Sequence, residues 1–180
     1  MKLFVILSFF FAIHTVFAQE TPLPNTPNTI EQLSFMKGTW KGEGWVFGKD
    51  GKANKFSQTE IIQSKVSNKI LMIDGLGYAI DSTGVTDRII HEAFGIISYN
   101  SDKKSIVMLS YSGIGGEFTS NMTLIDDKKL QWSFVDERSK GTIRFTDDFS
   151  EKGKWVEIGE ISMNGKDWFQ FFEMTLYRKD

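Results

Sequence analysis

From residue 40 onward, apolar and polar side chains alternate along the chain, and short clusters of Gly, Asn, Asp, Ser and Lys interrupt the pattern at regular intervals. Alternation with a period of two is what a strand with one buried face requires. It predicts strands over 40–47, 56–66, 70–80, 85–99, 106–111, 118–125, 130–135, 142–145, 155–163 and 168–178. Several of the interruptions, such as Asp50-Gly51 and Asn164-Gly165, are hairpin formers. Connections this short favour a meander, and a meander of this size loses its unpaired edges by closing on itself. The expected fold is all-β, a single antiparallel up-and-down β-barrel of roughly ten strands. A short helical turn over 29–36 precedes it, with Thr29 as cap and Ile30, Leu33 and Phe35 facing inward.

The first strand is unusual in its inner face. In Gly38-Thr39-Trp40-Lys41-Gly42-Glu43-Gly44-Trp45-Val46, strand alternation puts Trp40, Gly42, Gly44 and Val46 on one side. Glycine inside a strand marks a bend or a close approach by something else. The last hairpin can also be read by parity. A turn at Asn164-Gly165 pairs odd residues before it with even residues after it, so Trp155, Glu157, Gly159, Ile161 and Met163 share a face with Trp168, Gln170, Phe172, Met174, Leu176 and Arg178. That face carries the larger side chains and is assigned to the interior; a loop of different length would invert it.

Composition narrows the class. The 180 residues imply one domain. Residues 1–18 have Lys2, an apolar run and Val16-Phe17-Ala18, the layout of a signal peptide, and that run is too short to span a bilayer. Residues 19–32, with Pro22, Pro24 and Pro27, read as an extended linker, and 33–180 as the barrel domain. The expected location is therefore outside the cytoplasm, periplasmic or secreted. Loss of Lys2 with the signal moves the net charge from −2 to −3, which offers nothing to nucleic acid or an anionic membrane. Without cysteine, disulfides and a lipidated cysteine are both excluded.

Gly38-Thr39-Trp40 after a helical turn, together with Arg178 at the end of the last strand, resembles the calycin superfamily. The resemblance implies that the tryptophan packs across the barrel floor with the basic side chain stacked over it, a cation–π contact. Within the superfamily the chain looks most like uncharacterised exported lipocalin-like domains of bacteria, whose ending is similar to residues 155–176. Gly38-x-Trp40-x-Gly42-x-Gly44 is more distantly similar to nitrobindin-type haem barrels. Those hold haem through a histidine near the C-terminus, and no histidine follows His91 here. The chain also ends in its last predicted strand, without the helix that follows the barrel in typical lipocalins.

Candidate chemistry is sparse. His91 alternates with Ile89 and Ala93 and is suited to acid/base work or a lone ligand; the ordinary alternative is a hydrogen-bonded histidine in a half-buried strand. Glu157 on the inner face is a carboxylate among apolar groups, where burial raises its pKa. If that face is reversed, Glu160 and Glu173 take its place. The glycines of 113–116 precede a strand and make no phosphate cradle. Asp126-Asp127 and Asp147-Asp148 read as turn aspartates, not as a calcium site. Ser110 and Ser112 lack a nucleophile elbow. No metal, cofactor or catalytic set is expected.

The leading expectation is a small apolar or amphipathic ligand bound inside the barrel by Trp132, Trp155, Glu157, Gln170, Phe172 and Met174. Two alternatives stand beside it: an enzyme using Glu157 or His91 as acid/base on such a ligand, and a ligand-free interaction module working through its rim.

Overall fold

The computed structural model describes residues 29–48, 50–113 and 115–180; the expected signal peptide and most of the expected linker lie outside them. Ten strands follow in order: β1 (Gly38–Phe47), β2 (Ala53–Lys65), β3 (Ile70–Asp81), β4 (Gly84–Asn100) and β5 (Ser105–Ser112). The second half comprises β6 (Glu117–Asp126), β7 (Lys129–Val135), β8 (Thr142–Asp148), β9 (Lys154–Ser162) and β10 (Phe169–Arg178). Each strand pairs antiparallel with its neighbour in the chain, and β1 also pairs with β10, which closes the barrel. The expected up-and-down barrel is the fold.

The helical turn is a 3₁₀ helix, Ile30–Met36. Three residues per turn put Ile30, Leu33 and Met36 on one face, and these are its buried side chains. Phe35, expected inside, is half-buried and meets Phe149 edge-on, with ring centroids 5.4 Å apart.

This helix covers one end of the barrel above Trp40, which is 2% exposed. The Trp40 indole Nε1–H donates to the Met36 carbonyl at 2.8 Å. The Arg178 guanidinium lies 4.3 Å from the Trp40 ring centroid and donates to the carbonyls of Phe35 (2.9 Å) and Lys37. Phe149 and Trp155 complete the aromatic floor, each edge-on to Trp40. A cation on a ring face and a buried indole with its N–H partnered make a stable plug.

The glycines of β1 answer to close approach. A Cβ on Gly42 would sit 2.0 Å from the Thr175 carbonyl oxygen, and one on Gly44 would sit 2.4 Å from that of Glu173. Both pair with β10, opposite Leu176 and Met174. Bare backbone on β1 lets β10 press in and close the ring.

Candidate ligand-binding site

Above the floor the barrel encloses a cavity of about 360 Å³, running from Met36 at the helix to Ser112 and Phe134 toward the other end. Its walls are mostly aromatic and methionine side chains. Trp132 stacks on Phe145 (centroids 4.4 Å) and on Phe118 (5.8 Å), and Phe172 stacks on Phe56 (5.6 Å). Met108, Met122 and Met174 fill the gaps between them.

Into these walls the fold inserts three carboxyl groups and one amide. β2 alternates so that Phe56, Gln58, Glu60 and Ile62 all point inward. Three glycines flank the middle two. Gly42 and Gly77 flank Gln58 in the sheet, and Gly75 flanks Glu60, with Gly44 opposite Phe56. A Cβ on Gly77 would lie 2.2 Å from Gln58 Oε1, and one on Gly75 would lie 2.6 Å from the Glu60 carboxylate. Asp147 on β8 and Glu157 on β9 face each other across the β8–β9 pair.

The groups are not equally provided for. Asp147, 3% exposed, accepts the indole N–H of Trp155 on one oxygen and that of Trp132 on the other, both at 3.0 Å. Glu60, 6% exposed, accepts from Gln58 Nε2 at 2.7 Å. Glu157, 8% exposed, has no hydrogen-bond partner among the described residues. Gln58 Oε1 is buried and also unpartnered.

Burial sets the protonation. It pushes Glu60 up to about 8, against the opposing Gln58 hydrogen bond and with help from the Asp147 and Asp74 charges. It pushes Asp147 up to about 6, held back by the two indoles. The Glu157 carboxyl rises well above the ordinary range, first from burial and then from the neighbouring Asp147 and Glu60. His91 on β4 lines the same cavity, opposite Gly77. It keeps accessible surface yet is crowded enough that desolvation lowers its pKa, as befits a side chain facing a cavity. It makes no hydrogen bond among the described residues, contrary to its ordinary reading.

Of the six expected ligand residues, Trp132, Trp155, Glu157, Phe172 and Met174 line the cavity. Gln170 does not. The turn pairs Phe169 with Ile161 and Gln170 with Glu160, and a bulge at Phe171 then restores the expected parity from Phe172 onward. Before the bulge the faces are reversed, so Gln170 donates to Glu173 on the outside, and Phe171 turns toward the cavity. Trp168 is likewise displaced, lying under the Arg144 guanidinium at 3.7 Å, while Arg144 also binds Glu160 at 2.7 Å. Met163, at 68% exposed, is outside as well.

Asp147 is the other correction. Its strand runs on to Asp148, so only Asp148 serves the turn, through Lys129 and Ser150. Gln58 and Glu60 were not singled out either. A hairpin at Asp50-Gly51 places them beside Gly42 and Trp40 of the inward face, and Gly75-x-Gly77 repeats the spacing on the other side. Paired glycines flanking polar residues were the available signal.

No family model and no curated protein matches the sequence. Solved structures do match. Rv2717c from M. tuberculosis aligns over 87% of this chain and 100% of its own, with TM-score 0.62 and 11% identity. The S-type phycobiliprotein lyase CPES from Guillardia theta aligns over 84% and 93%, with TM-score 0.58 and 12% identity. A DUF3598-family protein with unknown function from Nostoc punctiforme aligns over 89% of this chain and 53% of its own, with TM-score 0.51 and 16% identity. These likenesses concern the fold, and the ten-stranded barrel fits a calycin or lipocalin-like one. Among the described residues no helix is long and apolar enough to cross a membrane.

Proposed function

We propose that this protein is an exported lipocalin-like carrier that binds one small amphipathic molecule inside its barrel. The observation that carries the reading is the cavity itself: about 360 Å³ of aromatic and methionine wall with a few convergent polar groups. Apolar walls supply affinity in such a site and the polar groups orient the ligand. The likeness to a phycobiliprotein lyase agrees with this at the level of fold, which is all that 12% identity carries. Export rests on the signal-like residues 1–18 and on the resemblance to exported lipocalin-like domains of bacteria.

A second reading, catalysis on the bound molecule, has its own support. Glu157 and His91 line one cavity, the first with a raised pKa and the second with a lowered one, which is how acid/base groups are tuned. The two readings part on whether a bound ligand is released unchanged.

The neutral apolar probe N-phenyl-1-naphthylamine tests the proposal. It should bind with saturation at one equivalent and quench the emission of Trp132 and Trp155, and Phe172→Ala should weaken binding by about tenfold or more. Probe binding that neither saturates nor responds to Phe172→Ala would shift the site to the exposed rim, where Phe169 and Met163 stand open to solvent.

A further inference from the structure

Granting that reading, the polar demand of the cavity is one-sided. Among the described residues that line it there are three carboxyl groups, Glu60, Asp147 and Glu157, and neither lysine nor arginine. The donors that come closest are already committed, with both indole N–H groups on Asp147 and the Gln58 amide N–H on Glu60. What remains unserved is mostly acceptor capacity, the Glu157 carboxyl and Gln58 Oε1; His91 on β4 is also without a hydrogen bond, and its lowered pKa makes it a neutral imidazole and not a counter-ion. Buried polar groups left without a partner cost free energy, and three crowded carboxyls add their mutual repulsion. The occupant that relieves both brings N–H donors and a positive charge.

We infer that the ligand is an organic cation, a protonated amine on an apolar body, with its ammonium on Glu157 beside Glu60 and its apolar part between Phe172 and Trp132. Aromatic faces around the site favour a cation further. An anionic amphiphile such as a fatty acid would bring a fourth carboxyl to three that already resist ionising together, and would find neither lysine nor arginine to pair with. A bare metal ion is the poorer fit, because no three acidic, histidine or cysteine groups among the described residues stand close enough to hold one.

Displacement of N-phenyl-1-naphthylamine by decylamine, decanol and decanoate at pH 8 separates the possibilities. The expected order is decylamine first, by about tenfold or more over decanol, with decanoate weakest. Glu157→Gln keeps the shape and removes the charge; it should erase most of the preference for the amine over decanol, while its far-UV circular dichroism and cooperative unfolding show that the variant is folded. Glu60→Gln should reduce the same preference by a smaller factor. If all three compounds displace the probe equally, or decanoate leads, the cation inference is overturned while interior binding stands. If none displaces it, the cation inference fails, while interior binding still rests on saturation of the probe and its response to Phe172→Ala. A preference for the amine that survives in both variants would place the cation elsewhere and overturn the assignment to Glu157.

Discussion

At the barrel floor both members of the central pair are hydrogen-bonded: Trp40 donates to Met36, and Arg178 reaches two carbonyls while lying on the Trp40 ring. A short way along the same interior, Glu157 is also buried but has no hydrogen-bond partner among the described residues. The two regions share strands. Trp40 pairs with Glu60 on β2, and Trp155 packs against Trp40 while donating to Asp147. One region is therefore a finished structural plug, and the other a set of acceptors held in place by it. A saturated polar cluster rigidifies a fold, whereas an unsaturated one is maintained at a cost in stability.

The comparison breaks most easily at the floor. Trp40→Ala should destabilise the protein by about 3–5 kcal/mol, measured by denaturant unfolding, as truncation of a buried aromatic does. Arg178→Ala should cost less, and the double variant should fall short of the sum by about 0.5–3 kcal/mol. Strict additivity would mean that the stacked pair is two independent residues.

The acid cluster should respond in the opposite direction. Glu157→Gln is expected to raise stability at pH 8 by about 1 kcal/mol, because it removes an ionisable group beside Asp147 and Glu60 while leaving a buried amide in its place. Its pH dependence follows from the raised pKa values. Glu60 in the folded protein holds its proton up to about 8, while the unfolded chain releases it near 4.5. The native state thus binds more protons across that window, so wild-type stability falls as pH rises from about 4.5 to 8. Asp147 on β8, raised to about 6, and Glu157 on β9 add to the same slope. His91 on β4 opposes it below its ordinary 6.5, because the folded imidazole resists protonation. Chemical denaturation at several pH values should show a flatter slope in Glu60→Gln and Glu157→Gln. Equal slopes in all three proteins would mean that the interior carboxyls are solvated.

How much of this contrast was legible follows from how local each signal is. The floor was readable because Gly38-Thr39-Trp40 and Arg178 are compact motifs at the two ends of the domain. The strand alternation and hairpin turns likewise gave the barrel. The inner wall of β10 was half readable, since parity holds for Phe172 and Met174 but the bulge at Phe171 carries Gln170 outside. A bulge leaves no mark on an alternation pattern dense in aromatics. Gln58 and Glu60 escaped because polar residues on both faces of β2 hide which face is inside. Asp147 escaped because paired aspartates look like a turn, and the two indoles that hold it come from β7 and β9.

Smaller effects sharpen the boundary of the site. Gln170→Ala should leave probe affinity unchanged and alter stability by no more than about 0.5 kcal/mol, as expected of a surface position. The contrast with Phe172→Ala, two residues away, checks the bulge directly by fluorescence titration. A Gln170→Ala variant that loses binding would put that side chain back in the cavity.

The central claim is that Glu157 is an interior acid awaiting a donor. Carboxyl carbon NMR on protein labelled at glutamate side chains, assigned with Glu157→Gln and Glu60→Gln, tests it most directly. Glu157 should titrate well above the ordinary value of about 4.3 in the free protein, and decylamine should lower its midpoint as the ammonium stabilises the carboxylate. A Glu157 resonance that titrates near 4.3 and does not move with decylamine would contradict the account.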